Sequence, residues 1–153
     1  MRVDIWTDGA AAPTNPGPAG AGYVIVADGG QGWLGSVPLD EETSSTKAEY
    51  TAVRMALEVA LASGATRAVV WMDARPVCKQ LRRKHRPKGS SEWKCKSDDL
   101  LRLRGDIWGL VGRFPDKDVK FEWIPRNRNG VADALASAAA SIASTEKKTA
   151  RGS

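Results

Sequence analysis

Along the chain the spacing of apolar positions switches between the two-residue period of a strand and the 3.6-residue period of a helix, and the switches mark out the elements. Val3 to Asp8 reads as a strand that stops at Gly9, and Pro13, Asn15, Pro16, Gly17, Pro18 and Gly20 then crowd turn formers into a loop. Gly22 to Ala27 is a second strand, Asp28-Gly29-Gly30 a hairpin turn, and Gly32 to Leu39 a third strand, so the chain opens on an antiparallel meander. From Thr46 to Ala62, Ala52, Ala56 and Ala60 fall on one helical row and Val53, Leu57 and Leu61 on the next, ending at Ser63-Gly64. Ala68 to Met72 is an apolar run too short for a helix, which suits a strand buried on both faces and ending at Asp73.

Beyond it the pattern predicts a short helix over Ala74 to Arg83, a basic stretch, a helix near Asp98 to Val111, and a last strand over Val119 to Ile124, stopped by Pro125. Gly130 to Ala143 is an alanine-rich helix, and residues 144–153 read as a frayed, flexible tail. Three strands, a helix, a strand, helices, a strand and a helix imply an α/β fold: one mixed sheet with helices on its faces. In a meander, strand three runs parallel to strand one, and right-handed crossovers make strands four and five parallel to them.

These directions gather four acids. Asp8 and Asp73 end strands one and four, while Glu49 and Asp133 lie in the first turns of the helices that follow strands three and five. All four therefore reach the carboxyl edge of the sheet, where ligand sites of open α/β sheets collect. Singly, each has a plain structural use. Thr46-Lys47-Ala48-Glu49 fits a capping box, Asp73 can cap the short helix, Asp133 suits a helix N-terminus, and Asp8 suits a turn before Gly9. Together they make a cluster of like charges that a cation must compensate. With no Cys or His among them, Mg²⁺ or Mn²⁺ fits better than zinc. Two such ions at one site point to hydrolysis of a phosphodiester.

Charge sharpens the choice of partner. The net charge is +5, and between Lys79 and Arg104 there are Lys79, Arg82, Arg83, Lys84, Arg86, Lys88, Lys94, Lys96, Arg102 and Arg104 against Glu92, Asp98 and Asp99. A local basic surface of this kind suits a polyanion. A length of 153 residues accommodates one domain, assigned here to residues 1–143. No apolar run is long enough to span a bilayer and no signal peptide is visible, so no membrane partner is expected. Cys78 and Cys95 lack ligand spacing and read as reduced thiols, which favours a cytoplasmic location.

The segments TDGAAAPTNPGPAGAG from Thr7, KAEYTAVRMAL from Lys47, WMDARPV from Trp71, EWKCKSDDL from Glu92 and EWIPRNRNGVADALA from Glu122 occur in order, and together they resemble the type 1 ribonuclease H family over roughly residues 2 to 143. The resemblance implies a ribonuclease H-like fold, with a five-stranded mixed sheet in the order 3-2-1-4-5 and helices on both faces. It further implies an RNA–DNA hybrid as substrate, cleaved in its RNA strand to leave 5′-phosphate and 3′-hydroxyl ends. Asp8, Glu49, Asp73 and Asp133 would be the ligands of two metal ions. Gly9, Ala10, Ala11, Asn15, Ser45 and Thr46 would meet the RNA strand, whose 2′-hydroxyls mark it as RNA. Trp93, Lys94 and Lys96 would follow the DNA strand without reading its sequence.

Departures from the family pattern fall around the acids. Ser45 and Thr46 stand where two Asn residues are usual, Ala74 replaces a Ser, and one residue is added between Asp8 and Asn15. The sole histidine, His85, lies in the basic run, and Arg126, Asn129, Ala132 and Asp133 reproduce the RxxNxxAD spacing of a subgroup that uses Arg in place of a loop His. Arg126 is therefore the expected electrostatic auxiliary. The expected protein is a monomeric ribonuclease H; the alternative is a hybrid-binding module of the same fold with drifted chemistry. A third reading, a domain cut out of a reverse transcriptase, is the less expected one given the start at Met1 and the finished tail.

Overall fold

The computed structural model describes residues 1–82 and 97–152. Its elements are β1 (Arg2–Ala11), β2 (Ala19–Ala27), β3 (Gly32–Pro38), α1 (Ser45–Ala62), β4 (Arg67–Met72), α2 (Arg75–Arg82), α3 (Asp98–Arg113), β5 (Asp118–Trp123) and α4 (Gly130–Gly152), with a 3-10 turn at Arg126–Arg128 before α4. The sheet order is β3-β2-β1-β4-β5, as expected. β1 is antiparallel to β2 and parallel to β4, and β4 is parallel to β5.

Strand alternation decides what each face holds. Val3, Ile5, Tyr23, Ile25 and Val70 are buried on one face against Tyr50, Val53, Leu57 and Ala60 of α1, with Ile107 and Phe114 completing that core. The opposite face carries Gly20 and Gly22, where a Cβ would fall on the backbone of α4 at Ala136, Ala140 and Ala132. Small residues on both sides let helix and strand backbones touch, and α4 supplies Ala132, Ala136, Ala139, Ala140 and Ala143 as its buried stripe. Large side chains on this stripe would hold α4 off the sheet.

Three element ends differ from expectation, each for a local reason. β1 runs past Asp8 to Ala11, paired with Ala19 of β2, because Gly-Ala-Ala faces the equally small Ala19 to Gly22. Its pairing with β4 ends earlier, at Trp6 opposite Trp71, so Asp8 lies just beyond the last β1–β4 pair. The cap of α1 is Ser44, whose side chain accepts from Lys47 N, which leaves Thr46 inside the first turn instead of capping it. Finally, the residues expected as a frayed tail continue α4 to Gly152. No Pro or Gly interrupts them before Gly152, and Lys147 pairs with Glu42 at 3.1 Å.

Candidate active site

Asp8 is placed by β1 and is only 5% exposed. Beside it Gly9 is pinned under α1, since a Cβ there would fall on the backbone of Ala48 and Glu49. A missing side chain in β1 thus seats the first turn of α1 directly on the strand, and Glu49 arrives next to Asp8. Asp73 follows β4, and its backbone carbonyl accepts from Trp123 Nε1 at 3.0 Å. Each of Asp8, Glu49 and Asp73 has a carboxylate oxygen within 4.8 Å of the others'. Asp133, from the first turn of α4, lies near enough for its side chain to raise the Asp8 carboxyl. The four expected acids therefore meet at one end of the sheet.

The electrostatics follow from that packing. Burial first, then the charge of Asp73 and the nearby Asp133 carboxyl, push the Asp8 carboxyl up to about 8, against the pull of the Gly9 N–H, which donates to Asp8 Oδ1 at 3.0 Å. Glu49 is likewise pushed up to about 8, by burial and by the charges of Asp8 and Asp73, while Arg126 acts in the opposite direction. Arg126 is 81% exposed with its Nη2 4.0 Å from Asp133 Oδ1, so the pair adds little to the stability of the fold. The raised carboxyls reflect crowded, uncompensated negative charge on an all-oxygen donor set, which a hard divalent cation would offset.

Next to the acids, Asn15 Nδ2 donates to Ser45 Oγ at 2.8 Å and Ser45 N donates to Asn15 Oδ1 at 3.0 Å. A short bridge between Gly17 and Thr43 ties the same two loops together. Ala10 and Ala11 are half-buried, and Thr46 is exposed at the start of α1. Trp93, Lys94 and Lys96, expected to follow the DNA strand, lie outside the described residues.

Two features have no counterpart in the sequence reading. Asn129, noted there only for its spacing, is buried, and its Nδ2 donates to Asp73 Oδ2 at 3.0 Å and to the Thr7 carbonyl at 2.9 Å. Those partners are 56 and 122 residues away, beyond the reach of any local pattern. On the far side of Asp73, the Arg75 guanidinium stacks 4.1 Å from the Trp123 ring centroid. It lines a cavity of about 320 Å³ with Lys79, Arg82 and Cys78. Burial raises the Cys78 thiol, which makes it an inert wall of that cavity.

Residues 7–139 match the family model described as "Reverse transcriptase-like". Ribonuclease H1 of the halophilic archaeon Halobacterium salinarum superposes with a TM-score of 0.77 at 33% identity, covering 91% of this chain and 97% of that one. The chain belongs to the type 1 ribonuclease H family. Within that family, the ribonuclease H domain of Rv2228c from Mycobacterium tuberculosis superposes with a TM-score of 0.75 at 33% identity, over 90% of this chain and 97% of that one. The bifunctional protein Rv2228c itself is 36% identical over 137 residues, which are 89% of this chain and 35% of that protein. The chain thus spans about a third of that relative's length. LC11-RNase H1, solved in complex with an RNA/DNA hybrid, gives a TM-score of 0.76 at 29% identity, over 92% of this chain and 98% of that one.

Proposed function

We propose that this protein is a metal-dependent endonuclease that hydrolyses the RNA strand of RNA–DNA hybrids, leaving 5′-phosphate and 3′-hydroxyl ends. The observation that carries this reading is the meeting of Asp8, Glu49 and Asp73 within 4.8 Å, joined by Asp133, beside the Asn15–Ser45 clamp. Asp8, Glu49, Asp73 and Asp133 would hold two Mg²⁺ or Mn²⁺ ions, which when bound supply an activated water and stabilise the leaving oxygen of a phosphodiester. In the net reaction water adds to phosphorus, the P–O3′ bond breaks, and the 3′-oxygen leaves with a proton.

The chain's own groups account for the choice of strand. The Ser45 hydroxyl accepts from Asn15 and keeps its own proton free to donate, and Thr46 offers a second exposed hydroxyl one residue on. Hydroxyl and backbone groups at Gly9 to Ala11, Asn15, Ser45 and Thr46 are suited to a ribose 2′-hydroxyl, which both donates and accepts. Arg126 stands beside Asp133 as an exposed positive charge suited to the departing phosphate. The structure of LC11-RNase H1 with its hybrid supports the substrate class.

The test is incubation of the protein with end-labelled RNA–DNA hybrid, double-stranded RNA and single-stranded RNA, each with Mg²⁺, Mn²⁺ or chelator. Metal-dependent cleavage of the hybrid's RNA strand alone is expected. Tight hybrid binding without cleavage under either metal would show instead a binding module of the same fold.

A further inference from the structure

We infer that Asn129 is a positioning residue of the carboxylate cluster, holding Asp73 and the backbone next to Asp8 in one fixed geometry that receives divalent metal. The identity of the site as a ribonuclease H centre rests on the reading above. Asn129 is 1% exposed although Arg126, Asn127, Arg128 and Gly130 around it are all exposed. Its burial is therefore a property of the side chain and not of the loop.

The hydrogen bonds explain the burial. Nδ2 donates to the Thr7 carbonyl at 2.9 Å and to Asp73 Oδ2 at 3.0 Å. Both partners are acceptors, which fixes the orientation of the amide, because the flipped form would set its oxygen against two oxygens. The backbone carbonyl of Asn129 meanwhile accepts from Asp133 N at 3.0 Å and starts the first turn of α4. One residue thus touches Asp73 directly, Asp8 through its neighbour Thr7, and Asp133 through the helix turn.

A neutral amide is the donor such a site needs. It orients one carboxylate oxygen, leaves the other free, and brings no positive charge to compete with a cation. The Asn129 Oδ1 atom is buried without a partner among the described residues, so the side chain is held by its nitrogen alone. Leaving a buried carbonyl unpaired is unfavourable, and a residue kept only for filling space would avoid it.

Two measurements test this, one on the unaltered protein. In ¹⁵N-labelled protein the Asn129 side-chain amide protons should exchange slowly and shift when Mg²⁺ is added. In Asn129→Ala, Mn²⁺ affinity measured by calorimetry should fall about 10- to 100-fold. kcat on the hybrid should fall with it while KM stays within about twofold, and excess Mn²⁺ should restore most of the rate. If the variant does not fold, the amide response of the unaltered protein decides. Freely exchanging amide protons that ignore Mg²⁺, or a folded Asn129→Ala with unchanged Mn²⁺ affinity and kcat, overturns the inference. An amide that responds to Mg²⁺ in a protein that cleaves no hybrid would sustain the positioning role and remove the ribonuclease reading.

Discussion

Asn15 and Ser45 hold each other by two hydrogen bonds, one from the Asn15 amide to the Ser45 hydroxyl at 2.8 Å and one from the Ser45 N–H to the Asn15 carbonyl oxygen at 3.0 Å. The loop after β1 is thereby fastened to the start of α1, and two of the groups that would face the RNA strand are set before any substrate arrives. Asn15→Ala removes both bonds, whereas Ser45→Ala removes one. We predict that Asn15→Ala raises KM for the hybrid by about tenfold and Ser45→Ala by about threefold, with smaller effects on kcat. Steady-state cleavage of a defined hybrid measures both, and a larger penalty in Ser45→Ala would contradict the order of the two bonds.

Asp8 is the most buried of the four acids and the one on which the others converge. Asp8→Asn keeps the shape and removes the charge. The expected outcome is a loss of at least about a thousandfold in kcat, which is about 4 kcal/mol of barrier, with hybrid binding retained. Gel-shift and single-turnover assays separate the two, and near-normal turnover in Mg²⁺ would remove Asp8 from the centre.

A pH dependence follows from the raised carboxyls of Asp8 and Glu49, both pushed up to about 8. In the metal-free protein the folded state binds more protons than the unfolded chain between the ordinary carboxylate range and about 8. The slope of unfolding free energy against pH is then negative. The stability linked to these groups is complete below the ordinary carboxylate range and is lost as pH rises through about 8. Divalent metal displaces the same protons, so its affinity should rise over that window and the stabilisation by Mg²⁺ should grow with pH. Melting temperatures with Mg²⁺ and with chelator, from about pH 5 to about pH 9, give the comparison, and a gap that narrows with pH would reverse the assignment.

The sheet order and the convergence of the four acids were legible in the sequence because both depend on chain direction, which turn spacing and helix periodicity reveal. The end of β1 was not. Asp8-Gly9 looks like a strand terminus, yet Ala11 is still paired, because the partner at Ala19 to Gly22 is as small as Gly9 to Ala11. The cap of α1 was misplaced by two residues for a related reason. Ser44, Ser45 and Thr46 are chemically alike, and only the backbone conformation at Ser44 decides which hydroxyl meets Lys47 N. Asn129 escaped because its partners, Thr7 and Asp73, are distant in sequence.

Gly9 makes a prediction about stability as well as activity. A methyl group at this position would fall on the backbone of Ala48 and Glu49, which cannot yield as a flexible side chain would. Gly9→Ala should cost about 2 kcal/mol or more, the upper part of the range for overpacked sites. Glu49 should move with α1, so metal affinity should fall together with stability. Urea denaturation and Mn²⁺ titration test the pair, and a Gly9→Ala protein with both quantities unchanged would mean that α1 is not seated on β1 as described.

Arg126 offers the opposite case, a residue whose loss should leave the fold untouched. It is 81% exposed and 4.0 Å from Asp133, so Arg126→Ala should alter stability by less than about 0.5 kcal/mol. Its electrostatic effect is more specific, because it lowers the pKa of Glu49 against the pull of burial and of Asp8 and Asp73. Removing it should let Glu49 rise further and carry the acid limb of metal-limited activity to higher pH, with kcat falling about tenfold near neutrality. Arg126→Lys keeps the charge and should recover part of both effects, and salt should weaken what remains, since the charge is exposed. A pH–rate profile of the three proteins at limiting Mg²⁺ tests the role directly. If Arg126→Ala shows a lower kcat and an unmoved acid limb, Arg126 acts on the product alone and not through Glu49.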